Sequence, residues 1–249
     1  MSKLQGKVAV VTGASKGIGA AIAKAYAAEG AAVVVNYASD RAGADRVVAE
    51  IEERQGRAIA VKGDVANAGD VERLFAVSKE TYGRVDVVVN NAGVFAFQPL
   101  EAVTEAEFHR QFNINVLGSL LVAQQAAKHI GEDGGAIVNV SSVISESPLP
   151  GSSIYSATKG AVDTLSEALA LELAPRKIRV NTVAPGGVDT EGARAAGIPE
   201  SDLAADIVSR TPLGRLGQPD DIAKVAVFLA SDDSSWLTGE RITASGGLH

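Results

Sequence analysis

The sequence predicts an α/β fold: a doubly wound parallel sheet of seven strands with helices on both faces, in a single domain spanning residues 1–249. Three observations point there. Short β-branched runs alternate with longer helical patterns. The runs are nearly continuously apolar, as strands covered on both faces must be. No repeat, low-complexity tract or linker interrupts the order in a chain of 249 residues that is 46% apolar, a length that α/β folds often carry as one domain.

The first strand, "VAVVT" (8–12), runs through the turn "TGASKGIG" (12–19) into a helix at 17–29. "AVVVN" (32–36) precedes a helix at 40–55, and "AIAVK" (58–62) one at 68–82. Gly30, Gly56 and Gly83 follow these three helices, where a left-handed cap favours glycine. "VDVVVN" (85–90) leads into one long helical pattern at 104–130, and "AIVNVS" (136–141) into another at 152–174. After "RVNTVA" (179–184) the rhythm breaks. Residues 186–218 are rich in glycine, alanine and charge, lack a strand, and read as a substrate lid with one or two short helices. A helix at 219–230 and the strand "RITA" (241–244) close the chain. Repeated β-α-β order makes the strands parallel.

Composition excludes several classes. With 30 acidic and 23 basic residues the net charge is −7, and without a dense basic tract no nucleic-acid partner is expected. No apolar run approaches the roughly 18 residues of a membrane span, and a strand begins too early to leave room for a signal peptide, so a cytoplasmic protein is expected. The absence of cysteine removes disulfides, thiolate metal sites and cysteine nucleophiles. The histidines, His109, His129 and His249, are too scattered for a metal cluster, and none is expected. Asn139-Val140-Ser141 fits a glycosylation sequon but lies in a run that reads as a buried strand.

The chemistry-bearing motifs gather at the carboxyl ends of strands, where such sheets bind ligands. The first turn places Gly13, Gly17 and Gly19 at a helix N-terminus, which favours an anion such as a pyrophosphate. Its G-x-x-x-G-x-G spacing is wider at the start than the common dinucleotide fingerprint. In "YSATKG", Tyr155 and Lys159 stand four apart on one helix face. Ionising tyrosine, with a pKa of about 10, costs roughly 4 kcal/mol at pH 7. A cation about 4 Å away supplies about as much at an effective dielectric of 20, so the pair can serve as an acid/base. Ser141 or Ser142 ends a neighbouring strand, and Asn115 sits inside the 104–130 helix, an odd place for an amide that is not hydrogen-bonded. "NNAG" (90–93) offers small residues against which a cofactor can lie.

Together "TGASKGIG", "GDV" (63–65), "NNAG", "NINVLG", "VSS", "YSATKG", "RVNTVAPGGVDT" and "SGGLH", in this order along the whole chain, resemble the short-chain dehydrogenase/reductase family in its compact branch. The resemblance implies a Rossmann-type fold and a hydride-transfer enzyme using the B face of a nicotinamide. It makes Tyr155 the general acid in carbonyl reduction and the base in alcohol oxidation. Ser142 binds the substrate oxygen, because the family places that serine thirteen residues before the tyrosine. Lys159 lowers the tyrosine pKa and holds the ribose hydroxyls, and Asn115 orders a water that links Lys159 to solvent. The cofactor would lie along Gly13, Ser15, Lys16, Gly17, Ile18 and Gly19, with Asp64 and Val65 at the adenine and Asn91, Ala92 and Gly93 at its ribose. Pro185, Gly186, Val188 and Thr190 would surround the carboxamide and pyrophosphate. Asp64 also reads as a helix cap.

Cofactor choice turns on the end of the second strand, where an acid would bond the ribose 2′-hydroxyl of NAD. Asn36 stands there instead, followed by Tyr37, Ala38 and Ser39. Lys16, Ser39 and Arg41 suit a 2′-phosphate, with Asp40 the discordant neighbour, so NADP(H) is expected over NAD(H). The substrate pocket is expected from 94–97, 143–152, Ile154, Gly187 and 190–212, with Glu146 facing either a polar substrate or water. A small neutral ketone or polyol suits it. The readings are an NADPH-dependent ketone reductase, a 3-oxoacyl-carrier-protein reductase, a sugar dehydrogenase, or a non-catalytic NADP-binding regulator. By the same resemblance, helices 104–130 and 152–174 would pack a homotetramer or homodimer.

Overall fold

The computed structural model describes residues 2–195, 197 and 201–248. Strands β1 (Val8–Val11), β2 (Ala32–Tyr37), β3 (Arg57–Lys62), β4 (Val87–Asn90), β5 (Gly135–Val140), β6 (Ile178–Pro185) and β7 (Arg241–Ala244) form one sheet. Its order is β3-β2-β1-β4-β5-β6-β7, and every pairing is parallel. The chain winds outward from β1 to β3, returns to set β4 beside β1, and then winds the other way. A crevice opens at that reversal, at the carboxyl ends of the strands.

Alternation along each strand divides the core. Val10 is in register with Val34 and Val88, and these side chains pack under α3 (Ala68–Tyr82), α5 (Gly118–His129) and α6 (Ser153–Leu173). Their neighbours Val11, Val35 and Val89 turn to the other face, under α1 (Gly17–Ala28), α2 (Arg41–Glu53) and α9 (Pro219–Ala230). Continuous apolar runs in the sequence therefore feed two cores.

Two local expectations are corrected. Gly30 and Gly83 do take left-handed backbone, at φ 89° and 80°, but after α2 it is Gln55 that does so, at φ 63°. Gly56 is needed for closeness, since a Cβ there would lie 2.7 Å from Ile51 Cγ2. The helix expected over 104–130 runs through without a break but is not regular. Capped by Thr104, α4 covers Glu105–Phe112, a π turn occupies Asn113–Leu117, and α5 follows. The extra residue of a π turn re-aims side chains, and here it coincides with the odd amide: Asn115 is 1% exposed. The 186–218 excursion carries α7 (Glu191–Ala195) and α8 (Asp202–Arg210); its residues 196 and 198–200, like His249, lie outside the described residues.

A buried polar chain fixes the helices behind the crevice. Asn90 Nδ2 donates to Asn139 Oδ1 at 2.8 Å and to the Ser119 carbonyl at 3.2 Å. Asn139 Nδ2 donates to Ser166 Oγ at 2.7 Å, and that hydroxyl donates to the Val162 carbonyl. Strands β4 and β5 are thereby tied to α5 and α6, and Asn139 is 1% exposed, away from any glycosylating enzyme. Asn139→Ala leaves an Asn90 donor and Ser166 short of partners, and an unsatisfied buried group costs about 1–3 kcal/mol. Urea denaturation of this variant is expected to show that loss with an unchanged slope; a midpoint equal to that of the parent would mean the chain adds no stability.

Candidate active site

The glycine turn is held from three sides. The buried Thr12 hydroxyl donates to the Val89 carbonyl at 3.1 Å and accepts from the amides of Asn91 and Ala92 at 3.0 and 3.1 Å. Asn91 Nδ2 donates back to the carbonyls of Thr12 and Gly13. A Cβ on Gly13, at φ 61°, would lie 2.8 Å from Ala92 Cα, so the β1 and β4 loops meet backbone to backbone. From behind, Asn36 Oδ1 accepts from the Gly13 amide, while its Nδ2 donates to the carbonyls of Val61 and Gly63. Asn36 is thus spent inside the protein, at 1% exposure. It braces the turn and does not face the groove as the sequence reading had it.

In front, the amide of Gly17 donates to Glu191 Oε2 at 2.9 Å. The N-terminus of α1 therefore holds an anion here, with the carboxylate standing where a phosphate oxygen would suit the same amide and helix dipole. Gly19 packs against Gly13 and Asn91. Lys16 is exposed, and no described carboxylate pairs with it. Beyond β2, Tyr37 is buried while Ala38 and Ser39 are exposed. The Asp40 carboxylate turns away to cap α2 at the Gly43 amide, and Arg41 pairs with Asp45. Asp64 is exposed and closes a turn onto the Ala66 amide; the cap of α3 is Asn67, not Asp64. Val65 is buried and meets α5 at Gly118.

The second group of residues lines a cavity of about 270 Å³ at the ends of β4, β5 and β6, reached by Ile18 from α1. Asn91, Gly93, Ser142, Tyr155, Lys159 and Thr190 share it, with Pro185, Gly186 and Val188. Between the two candidate serines the structure separates roles: Ser141 donates to the backbone carbonyl of Lys159, whereas Ser142 Oγ accepts from the Ile144 amide and lines the cavity with Tyr155. Asn115 accepts from the Val94 amide and donates to the Val94 carbonyl and Thr158 Oγ1. Both of its amide hydrogens are therefore committed to protein.

Electrostatics depart from the sequence reading. Lys159 Nζ donates to the Val140 carbonyl at 2.9 Å and lies 5.6 Å from the centre of the Tyr155 ring. It sits over the ring face, and burial governs both groups. Burial pushes Tyr155 up to about 12, with the side chain of Ser142 acting the other way. Burial also pulls Lys159 down to about 8, with the charge of Asp163 acting the other way. The tyrosine is thus a protonated donor at neutral pH.

Phe95, Phe97 and Tyr155 form an aromatic wall, with centroids 5.8, 5.9 and 6.2 Å apart. Leu203, Ile207 and Arg210 of α8 close the opposite side. Leu248 also lines the cavity, a residue that sequence reasoning missed because nothing marks a chain end as returning to the site. Ile154 is buried but does not line the cavity. Of the two settings expected for Glu146, substrate or water, the structure gives water: its side chain is 69% exposed and pairs with Arg241, outside the cavity lining.

A family model described as enoyl-(acyl carrier protein) reductase matches residues 13–249. An uncharacterized oxidoreductase of Methylorubrum extorquens is 60% identical over 248 residues, covering 100% of each chain. A probable tetrahydroxynaphthalene reductase of Zymoseptoria tritici is 42% identical, over 98% of this chain and 95% of its own. Among solved structures, a short-chain dehydrogenase from Burkholderia cenocepacia in complex with NADP superposes with a TM-score of 0.93 at 37% identity, covering 99% of both chains.

The lysine gives a stability test. Its pKa falls from 10.5 to about 8 on folding, so between those values the folded chain binds fewer protons than the unfolded one and stability rises with pH. Below about pH 8 the buried ammonium subtracts from stability. Lys159→Met is therefore expected to raise the urea midpoint at pH 7, with the gain fading as pH climbs toward 10.5. A lower midpoint at pH 7 would mean that the bond to Val140 outweighs burial.

Proposed function

The chain belongs to the short-chain dehydrogenase/reductase family, and we propose that it reduces a ketone to a secondary alcohol, reversibly, with NADPH as the hydride donor. The observation that carries this reading is the gathering of Ser142, Tyr155 and Lys159 in one cavity with an aromatic wall, beside the glycine turn. The anion held at the Gly17 amide supports a pyrophosphate there. When bound, the reduced nicotinamide supplies the hydride. Ser142 orients the substrate carbonyl, and Tyr155 donates its hydroxyl proton to the oxygen. A donor held near 12 is protonated at pH 7, which suits reduction over oxidation. Lys159 holds the ribose hydroxyls and offsets the charge left on the tyrosine oxygen. Asn115 anchors the water path to Lys159 through its remaining carbonyl lone pairs.

NADPH is favoured over NADH because Asn36 carries no charge and is spent internally, and Asp40 is occupied as a cap. Lys16 and Ser39 remain exposed on adjoining loops for a 2′-phosphate. The aromatic wall suits a planar aromatic ketone, and one relative is named as a probable reductase of tetrahydroxynaphthalene, itself a planar aromatic. The description of the matching family model favours an acyl-carrier thioester as the second reading. Among the described residues no helix is long and apolar enough to cross a membrane, and we assign the protein to the cytoplasm. Phe108, Leu117, Leu120 and Leu171 are exposed on α4, α5 and α6 and the turn between them. They would be covered in a homotetramer or homodimer, so sedimentation is expected to show no monomer at micromolar concentration.

Cofactor absorbance, followed with NADPH or NADH against an aromatic ketone, an acetoacetyl thioester and an oxidisable sugar, tests the reading. Turnover of the ketone with NADPH preferred is expected. Tyr155→Phe should bind NADPH yet lose turnover about 10²–10⁴-fold, the usual worth of a general acid. Lys16→Ala should raise the KM for NADPH about tenfold, as expected for one charge-assisted bond, and leave NADH unaffected. Retained turnover in Tyr155→Phe would remove the mechanism, and preference for NADH would remove the phosphate site.

A further inference from the structure

We propose that Arg241, at the start of the edge strand β7, is a positioning residue that sets Ser142 against Tyr155; the proposal rests on the reading of the site given above. Its side chain is 16% exposed, and each of its five N–H donors has an acceptor. Nε donates to Asp163 Oδ2 at 3.1 Å. Nη1 donates to Glu146 Oε2 at 2.9 Å and to Thr243 Oγ1 at 3.0 Å. Nη2 donates to the Ser142 carbonyl and to Ser145 Oγ, both at 3.2 Å. Ser145 Oγ donates in turn to the same Ser142 carbonyl at 2.9 Å.

One planar group thus grips the two elements whose separation matters for the reaction. Asp163 lies on α6, one turn beyond Lys159 and two beyond Tyr155. The Ser142 carbonyl belongs to the loop that carries the serine hydroxyl. A guanidinium fixes the angle between its acceptors as well as their distance, so the hydroxyl of Ser142 and the helix bearing Tyr155 are held in one frame. The second oxygen of Asp163 is buried without a partner, and the charge it carries opposes the fall in the Lys159 pKa. A lysine at 241 keeps the charge but has three donors on a single nitrogen, too few to hold α6 and the Ser142 loop at once.

The test is a double-mutant cycle of Arg241→Lys with Ser142→Ala, reading kcat and KM on the best ketone, the Kd for NADPH and the urea midpoint. Arg241→Lys is expected to lower kcat at least tenfold while the Kd for NADPH stays within twofold. In the Ser142→Ala background the same substitution is expected to change kcat less than twofold, because the group it positions is gone. Equal losses in both backgrounds, a loss confined to NADPH binding, or a kcat near that of the parent would each overturn the proposal. An unchanged kcat in Ser142→Ala alone would instead overturn the assignment of the site. Should Arg241→Lys fail to fold, Ser145→Ala, which removes the other donor to the Ser142 carbonyl, replaces it, with the same coupling expected.

Discussion

The site depends on β1 and β4 lying side by side, and the contact that fixes them at the working edge is the Thr12 hydroxyl. Thr12 and Val89 are 77 residues apart in sequence, yet one buried hydroxyl bonds the Val89 carbonyl and the backbone amides of Asn91 and Ala92. A parallel sheet allows this only at the reversal of strand order, where two strands are adjacent but their following helices leave to opposite faces. The loop after β1 then turns into α1 and exposes helical amides, while the loop after β4 runs toward α4 and the cavity. The anion-holding turn and the aromatic wall are the two sides of that one divergence.

Much of this was legible in the sequence because it follows from local rules. Continuous valine runs announce strands covered on both faces, and the glycines of the first turn announce a close approach that the Gly13 and Ala92 contact explains. Asn115 was legible as an anomaly; its cause, a π turn between α4 and α5, was not, because hydrophobic periodicity averages over one inserted residue. Asn36 misled for a related reason. Position along a strand tells which residue reaches the groove edge, but an amide can instead be consumed by three backbone groups that only the fold brings near. Arg241 left no local trace at all, since its partners Asp163, Glu146 and Ser142 lie 78, 95 and 99 residues away.

In a medium of moderate dielectric a lysine charge about 4 Å away would offset the cost of ionising tyrosine. The fold changes the balance by shielding both groups from water, Lys159 at 6% exposure and Tyr155 in part. Desolvation disfavours whichever form is charged, so it raises Tyr155 and lowers Lys159 together. Within that one helix turn the ammonium is bonded to the Val140 carbonyl and lies over the ring face. A bare four-residue spacing is therefore evidence that two groups share a face and says little about which protonation states they hold.

The aromatic wall then has two consequences that cannot be separated. Phe95 and Phe97 give the cavity a surface for planar apolar substrates, and the same rings stand against Tyr155 at 5.9 and 6.2 Å. They put apolar surface, where water would otherwise stand, beside the tyrosine. Polar replacements on this wall would admit water, bring the tyrosine back toward its ordinary value of 10 and ease its ionisation. Such changes favour alcohol oxidation, which needs the anion as base, over ketone reduction, which needs the intact proton. Substrate shape and preferred direction are in this way tied to the same two side chains, and a wall reshaped for a polyol would also shift the proton equilibrium of the residue that acts on it.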